Sequence, residues 1–143
     1  MPIWKKPITL EELNAFSPRT LQHTLGIQMI GIGDDYLEGT LPVDERTRQP
    51  YGLLHGGASV ALAETLGSLA SYCVSGGEQV CVGIEISASH LRSVQSGSVT
   101  GRASPLRLGK SIHVWEIRIH ETGKPQADLV CLSKLTVLLK ASH

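Results

Sequence analysis

The sequence predicts an α+β domain, and two features of its apolar pattern carry that expectation. From Val60 to Val74 apolar residues occupy almost every side of a helical wheel, which marks one long helix buried on most of its circumference. Around it, about six shorter segments are apolar or alternate with polar residues, and most are joined by turn residues. One buried helix with strands linked by turns describes an antiparallel sheet curled round that helix.

Thr9-Leu10-Glu11-Glu12 is a capping-box pattern that opens a short helix reaching about Phe16 and ended by Ser17-Pro18. This piece is expected to cover one edge or end of the domain. Leu25 to Ile32 and Tyr36 to Val43 read as two strands around a hairpin turn at Gly33-Asp34-Asp35. The central helix runs from about Gly57 to Ser75 and stops at Gly76-Gly77, where glycine takes the left-handed cap conformation. In the strand that follows, Val80, Val82, Ile84 and Ile86 alternate with Cys81, Gly83, Glu85 and Ser87. Ser98 to Leu106 is the next strand, with Pro105 marking an edge or a bulge. In Ile112 to Ile119 the alternation slips between Val114 and Trp115, which predicts a bulge there. Leu129 to Leu139 completes the sheet after the loop from Glu121 to Pro125.

A chain of 143 residues is large enough for one domain with a proper core, spanning 1–143. Zero formal net charge and 4% aromatic residues argue against nucleic acid as a partner. The amino end is too polar for a signal peptide, and the longest apolar region is interrupted by His55, Ser59, Glu64 and Ser68, which makes it a poor membrane span. A cytoplasmic protein is expected. Cys73, Cys81 and Cys131 are odd in number and lack C-x-x-C spacing, so core packing is their expected role. Neither H-E-x-x-H nor G-x-S-x-G occurs, so no metal and no serine triad are expected.

Glu64 is the exception in the apolar helix. A carboxylate in such a place is paired, hydrogen-bonded, protonated or open to a cleft. With Ser68 and Ser71 it forms a polar lane down one helix face, fit to line a substrate channel; the plainer reading is a narrow strip of solvent-facing residues. Gly56 and Gly57 stand where the first helical N–H groups lack partners, a place suited to a developing oxyanion, and His55 and Gln49 add side chains able to hold a carbonyl or a water. The plainer reading of these glycines is an ordinary turn. Gly56 and Glu64 are eight residues apart, about 12 Å along one helix at about 1.5 Å per residue. One small carbonyl cannot be served by both, so two antiparallel copies of the helix related by a two-fold axis are expected.

Gln49-Pro50-Tyr51-Gly52-Leu53-Leu54-His55-Gly56-Gly57, the helical Ala63-Glu64-Thr65-Leu66-Gly67-Ser68, and Gly83 through Arg92 together resemble the hotdog-fold acyl-CoA thioesterases. The branch they are most similar to is the Arthrobacter-type 4-hydroxybenzoyl-CoA thioesterases, which includes the 1,4-dihydroxy-2-naphthoyl-CoA and enterobactin-pathway proofreading enzymes. The resemblance covers Ile3 to about Leu139. It implies the hotdog fold and hydrolysis of an aryl- or medium-chain acyl-CoA, with coenzyme A as part of the substrate and no separate cofactor. It also implies a homodimer as the minimum active unit and a homotetramer built as a dimer of dimers.

By the same resemblance Glu64 is nucleophile or general base, Gly56 N–H polarises the carbonyl, His55 holds the thioester end, Gln49 orients carbonyl or water, and Ser68 is the hydroxyl one turn on. The coenzyme is placed at Gly83, at His90-Leu91-Arg92-Ser93, and along Arg107-Leu108-Gly109-Lys110-Ser111-Ile112. Read alone, these basic residues are ordinary surface charge. His23, His113, His120 and His143 are left as structural. Two alternatives stay open: proofreading hydrolysis of a misacylated aryl-carrier protein, and a non-enzymatic acyl-CoA-binding module.

Overall fold

The computed structural model describes residues 1–141. His143 lies outside them. Two short helices, α1 (Leu10–Asn14) and α2 (Leu21–Leu25), precede the strands β1 (Gln28–Ile32) and β2 (Leu37–Pro42). The long helix α3 (Gly56–Val74) follows, and then come β3 (Gln79–His90), β4 (Ser98–Leu108), β5 (Ile112–Glu121) and β6 (Cys131–Ala141). The six strands form one wholly antiparallel sheet in the order β1-β2-β4-β5-β6-β3, and α3 packs against five of them.

Local chemistry accounts for the ends of the elements. Thr9 Oγ1 accepts the Glu12 N–H at 3.1 Å and caps α1, which ends at Asn14 rather than at Phe16. Asn14 then brackets Met29 of β1, accepting its N–H at 2.8 Å and donating to its carbonyl at 3.0 Å. The expected strand from Leu25 therefore starts only at Gln28. Its first residues are taken by α2, which Thr20 caps and the left-handed Gly26 ends. Helix α3 closes as expected, with Gly76 and Gly77 in the left-handed region and the Gly77 N–H reaching the Tyr72 carbonyl at 3.0 Å.

The core lies between α3 and the inner face of the sheet, where Leu62, Leu66, Trp115, Ile117 and Ile119 are fully buried. Each side chain of that kind contributes about 1.5–3 kcal/mol over leaving it in water. Strand β5 has no bulge. His113, Trp115, Ile117 and Ile119 all face α3 in strict alternation, and the bulge lies opposite, in β4 between Pro105 and Arg107. A second one lies in β3 between Gly83 and Glu85. It turns Ile86 and Ala88 inward while Val80, Val82 and Ile84 stay on the outer face.

One polar cluster sits inside this apolar layer. Ser71 Oγ accepts the Trp115 Nε1–H at 2.8 Å and shares a 2.8 Å hydrogen bond with His113 Nδ1. Ser71 and His113 are 0% and 2% exposed. The polar lane expected along α3 therefore breaks: the helix crosses the curled sheet obliquely, so Glu64 meets β3 at Gly83 while Ser71 meets β5.

Burial pushes the His113 pKa below its ordinary 6.5, a hydrogen bond with the Gly109 backbone opposing in part. Below about 6.5 the unfolded ring gains a proton that the folded ring resists, so stability is full above that value and falls on acidification. The urea midpoint should drop between about pH 7 and pH 5, and His113→Leu should show a smaller drop. Equal pH slopes for the two proteins would contradict this assignment.

Candidate active site

The approach to α3 is shaped by the loop after β2. Thr47, 1% exposed, donates its hydroxyl to the Pro42 carbonyl at 2.7 Å and accepts the Asp44 N–H, while its own carbonyl takes the His55 N–H at 2.7 Å. Asp44 is clasped by the Arg46 guanidinium at 2.7 Å, which lowers its pKa to about 2. Between these anchors Gln49 starts a tight turn. Its N–H bonds the Leu53 carbonyl at 2.8 Å, and its side-chain Oε1 accepts the Tyr51 N–H at 2.5 Å. The amide oxygen is thus committed to the loop, and Nε2 is the group left for a ligand.

His55 is the N-cap of α3, its Nδ1 accepting the Gly57 N–H at 2.7 Å. The Gly56 N–H donates to no atom among the described residues. The His90 ring lies against Gly56, close enough that a Cβ there would stand 2.8 Å from His90 Nε2. A cleft of about 380 Å³ opens at this end of the helix, lined by Gln49, Gly56, Ser59, His90, Arg92 and Ser93 among others. The loop, the helix start and the β3 end thus come together. Arg92 is held at the rim by a 2.9 Å ion pair with Glu121.

Glu64 and Ser68 do not line this cleft. Glu64 is half-buried, and its carboxylate rests against Gly83 in a space that any side chain at 83 would fill. The structure gives it no hydrogen bond or ion pair among the described residues. Gly83, assigned by resemblance to the coenzyme, is here the seat of the carboxylate. One turn on, Ser68 borders a second pocket of about 400 Å³ with Phe16, Leu69, Tyr72, Gln79 and Val80. Phe16 meets Tyr72 edge-on with ring centroids 5.3 Å apart. Sequence reading missed this aromatic wall. Phe16 comes from the chain between α1 and α2, and nothing in its local pattern points to Tyr72.

The remaining coenzyme segment is elsewhere. Arg107–Ile112 forms the β4–β5 turn, where Ile112 pairs with Leu138, whereas His90 pairs with Cys131. Seven β6 residues separate those levels, roughly 23 Å at about 3.3 Å per residue. Within one chain, the two basic segments lie at opposite ends of the sheet. Ser87 and Ser89 point to the outer face, away from α3. Among the described residues no three His, Cys, Asp or Glu stand close enough together to hold a metal ion, and no helix is long and apolar enough to cross a membrane.

An unpartnered N–H at a helix start, with a side-chain amide beside it, can hold a carbonyl oxygen as it gains charge. A free carboxylate on the same helix can attack carbon or activate water.

Comparison with known proteins bears on this chemistry. Residues 51–127 match the model of the Thioesterase superfamily. The chain is 50% identical over 137 residues to the 1,4-dihydroxy-2-naphthoyl-CoA hydrolase of Escherichia coli strain K12, covering 96% of this chain and 98% of that protein. It is 54% identical over 134 residues to the proofreading thioesterase EntH of Cronobacter turicensis, covering 94% and 96%. Its backbone matches the crystal structure of a thioesterase from Haemophilus influenzae with a TM-score of 0.91 at 47% identity, covering 97% and 95% of the two chains. With the curled sheet round α3 and relatives of this identity over nearly its whole length, this chain belongs to the Thioesterase superfamily and is a hotdog-fold thioester hydrolase.

Proposed function

We propose that this enzyme hydrolyses aryl- or medium-chain acyl-CoA thioesters to the free acid and coenzyme A, using Glu64 against a carbonyl held at Gly56. The observation that carries the reading is a half-buried Glu64 carboxylate with no partner among the described residues, on the helix whose first N–H likewise donates to none of them. The carbonyl oxygen accepts the Gly56 N–H, Gln49 Nε2 orients carbonyl or water, and His55 flanks the thioester. Glu64 takes a proton from water as its oxygen attacks carbon, or attacks directly to give an anhydride that water then opens. In either route the tetrahedral oxyanion collapses with cleavage of C–S, and the thiolate of coenzyme A leaves.

The spacing of about 12 Å along α3 favours a second copy, and β3 offers the contact for it. It is a sheet edge with no neighbouring strand on its outer side among the described residues, and Val80, Val82 and Ile84 are exposed at 46%, 43% and 55%. Exposed Leu106 and Leu132 on the outer face of the sheet supply a surface for pairing two dimers into a homotetramer. The acyl group fits the pocket of Phe16, Leu69 and Tyr72, whose edge-on rings favour a flat aryl group. Three free cysteines agree with a reducing cytoplasm. A second reading, proofreading of a misacylated aryl-carrier protein, is favoured by the 54% identity to EntH and uses the same site.

Thiol release measured across benzoyl-, naphthoyl- and fatty-acyl-CoA and an aryl-carrier protein should be fastest with an aryl-CoA. No release from any of them would return the chain to an acyl-CoA-binding module. Glu64→Ala should lower kcat by about 10²- to 10⁴-fold with a smaller change in KM, and normal turnover would remove Glu64 from the site.

Gly83→Ala should push the carboxylate off its seat. Because the displaced atoms end a flexible side chain, kcat should fall about tenfold or more while the urea midpoint moves little. Unchanged kcat would show that the seat does not matter. In sedimentation the active species should be a dimer or larger, and a fully active monomer would exclude the shared site.

A further inference from the structure

His113 is the one polar side chain among the inward-facing residues 113, 115, 117 and 119 of β5. An aliphatic residue there would bury its surface without any polar group to satisfy, so the histidine's partners are informative. One is Ser71 on α3, at 2.8 Å from Nδ1. Since Ser71 Oγ already accepts the Trp115 N–H, its own proton is available to a neutral imidazole. On its other side His113 is joined to the β4–β5 turn by the backbone: it follows Ile112 directly and pairs across the strands with Leu108.

That turn is tightly built. Gly109 N–H bonds the Ile112 carbonyl at 2.9 Å, and Ser111 is tied to β6 through the Leu139 N–H at 2.9 Å. The Arg107 guanidinium folds across Gly109: a Cβ there would stand 3.1 and 3.3 Å from Arg107 Nε and Nη2. Neither Arg107 nor Lys110 pairs with a carboxylate among the described residues, whereas Arg92, Arg102 and Arg118 all do. The Ser71–His113 hydrogen bond therefore ties the base of the turn to the reacting helix, and the Arg107 guanidinium that lies over Gly109 has no carboxylate partner among the described residues.

We infer that His113 is a positioning residue, which locks the Arg107–Ile112 turn to α3 and so presents Arg107 and Lys110 to the phosphates of the coenzyme. This rests on the proposed acyl-CoA reading and adds to it the device that sets coenzyme affinity. His113 touches neither the acyl group nor the reacting carbon, so its effect is confined to substrates that carry the phosphates.

The test compares one aryl group carried on coenzyme A and on pantetheine, which has the same thiol arm and no phosphate. KM and kcat are measured for the native enzyme, His113→Leu, His113→Asn and Arg107→Ala. His113→Leu should raise KM for the CoA ester about tenfold, the loss expected for one charge-assisted contact, and leave kcat and the pantetheine-ester KM within about twofold of native. His113→Asn, which can still bond Ser71, should recover part of that loss, and it carries the comparison alone should the leucine variant fail to fold. Equal effects on both esters would reduce His113 to a general structural role and overturn the inference. So would an unchanged CoA-ester KM in the His113 variants while Arg107→Ala raises it. If Arg107→Ala itself leaves the CoA-ester KM unchanged, the coenzyme reading of the turn falls and the inference with it, while hydrolysis of the aryl thioester by the native enzyme would still stand.

Discussion

A straight α-helix holds its residues at fixed distances, and here that rigidity governs everything downstream. Gly56 begins α3 and Glu64 stands eight residues along it, with Leu62, Leu66 and Ala70 so fully buried that the helix cannot slide or turn in its sheet. The start of the helix opens onto the cleft with Gln49 and His90, and the carboxylate faces out over Gly83 at the β3 edge. No rotamer of Glu64 spans about 12 Å. In the proposed mechanism the chain therefore holds two half-sites, and reaction needs a second helix running the other way.

The sheet is shaped to permit this. Its bulges, between Met29 and Gly31, between Gly83 and Glu85, and between Pro105 and Arg107, sharpen the twist that lets six strands wrap one helix. The β3 bulge has a second effect. Without it, strict alternation would carry the inward phase of Cys81 and Gly83 on to Glu85 and Ser87, leaving Ile86 and Ala88 outside. With it, the residue under Glu64 is a glycine and the strand beyond still contributes apolar side chains to the core.

Much of this was legible in the sequence because it depends on short-range rules. The long helix, its double-glycine end and the order of six strands follow from period and capping. Most of the failures depend on contacts between segments far apart in the chain. The slip at Val114–Trp115 was real as a pattern, but it arose because His113 occupies an inward position usually held by an apolar residue; the inserted residue lies on the partner strand. Helix α2 has its own cap in Thr20 and its own stop in Gly26, yet its five residues are too few for an apolar period. The lane from Glu64 to Ser71 assumed a helix parallel to one strand, whereas the oblique crossing sends its two ends to different strands. In the candidate site, Gln49, Gly56 and His90–Ser93 converge, as adjacency to one helix end requires. The Phe16–Tyr72 wall joins residues 56 positions apart and left no local trace.

The two basic segments at opposite ends of the sheet pose the same problem as Gly56 and Glu64, and the proposed dimer would solve it in the same way. Antiparallel pairing of two β3 edges reverses one sheet against the other. In the proposed dimer the end of one copy that carries Gln49, Gly56 and His90–Ser93 would then face the end of the other that carries Ser68, Tyr72 and the Arg107–Ile112 turn. A carbonyl seated in the first cleft would meet the Glu64 of the second copy, with the acyl pocket and the unpaired guanidinium on that same side. A single two-fold operation would thus remove both separations. That coincidence is hard to explain if the two halves serve unrelated purposes, because α3 and the register of β5 on β6 fix them independently.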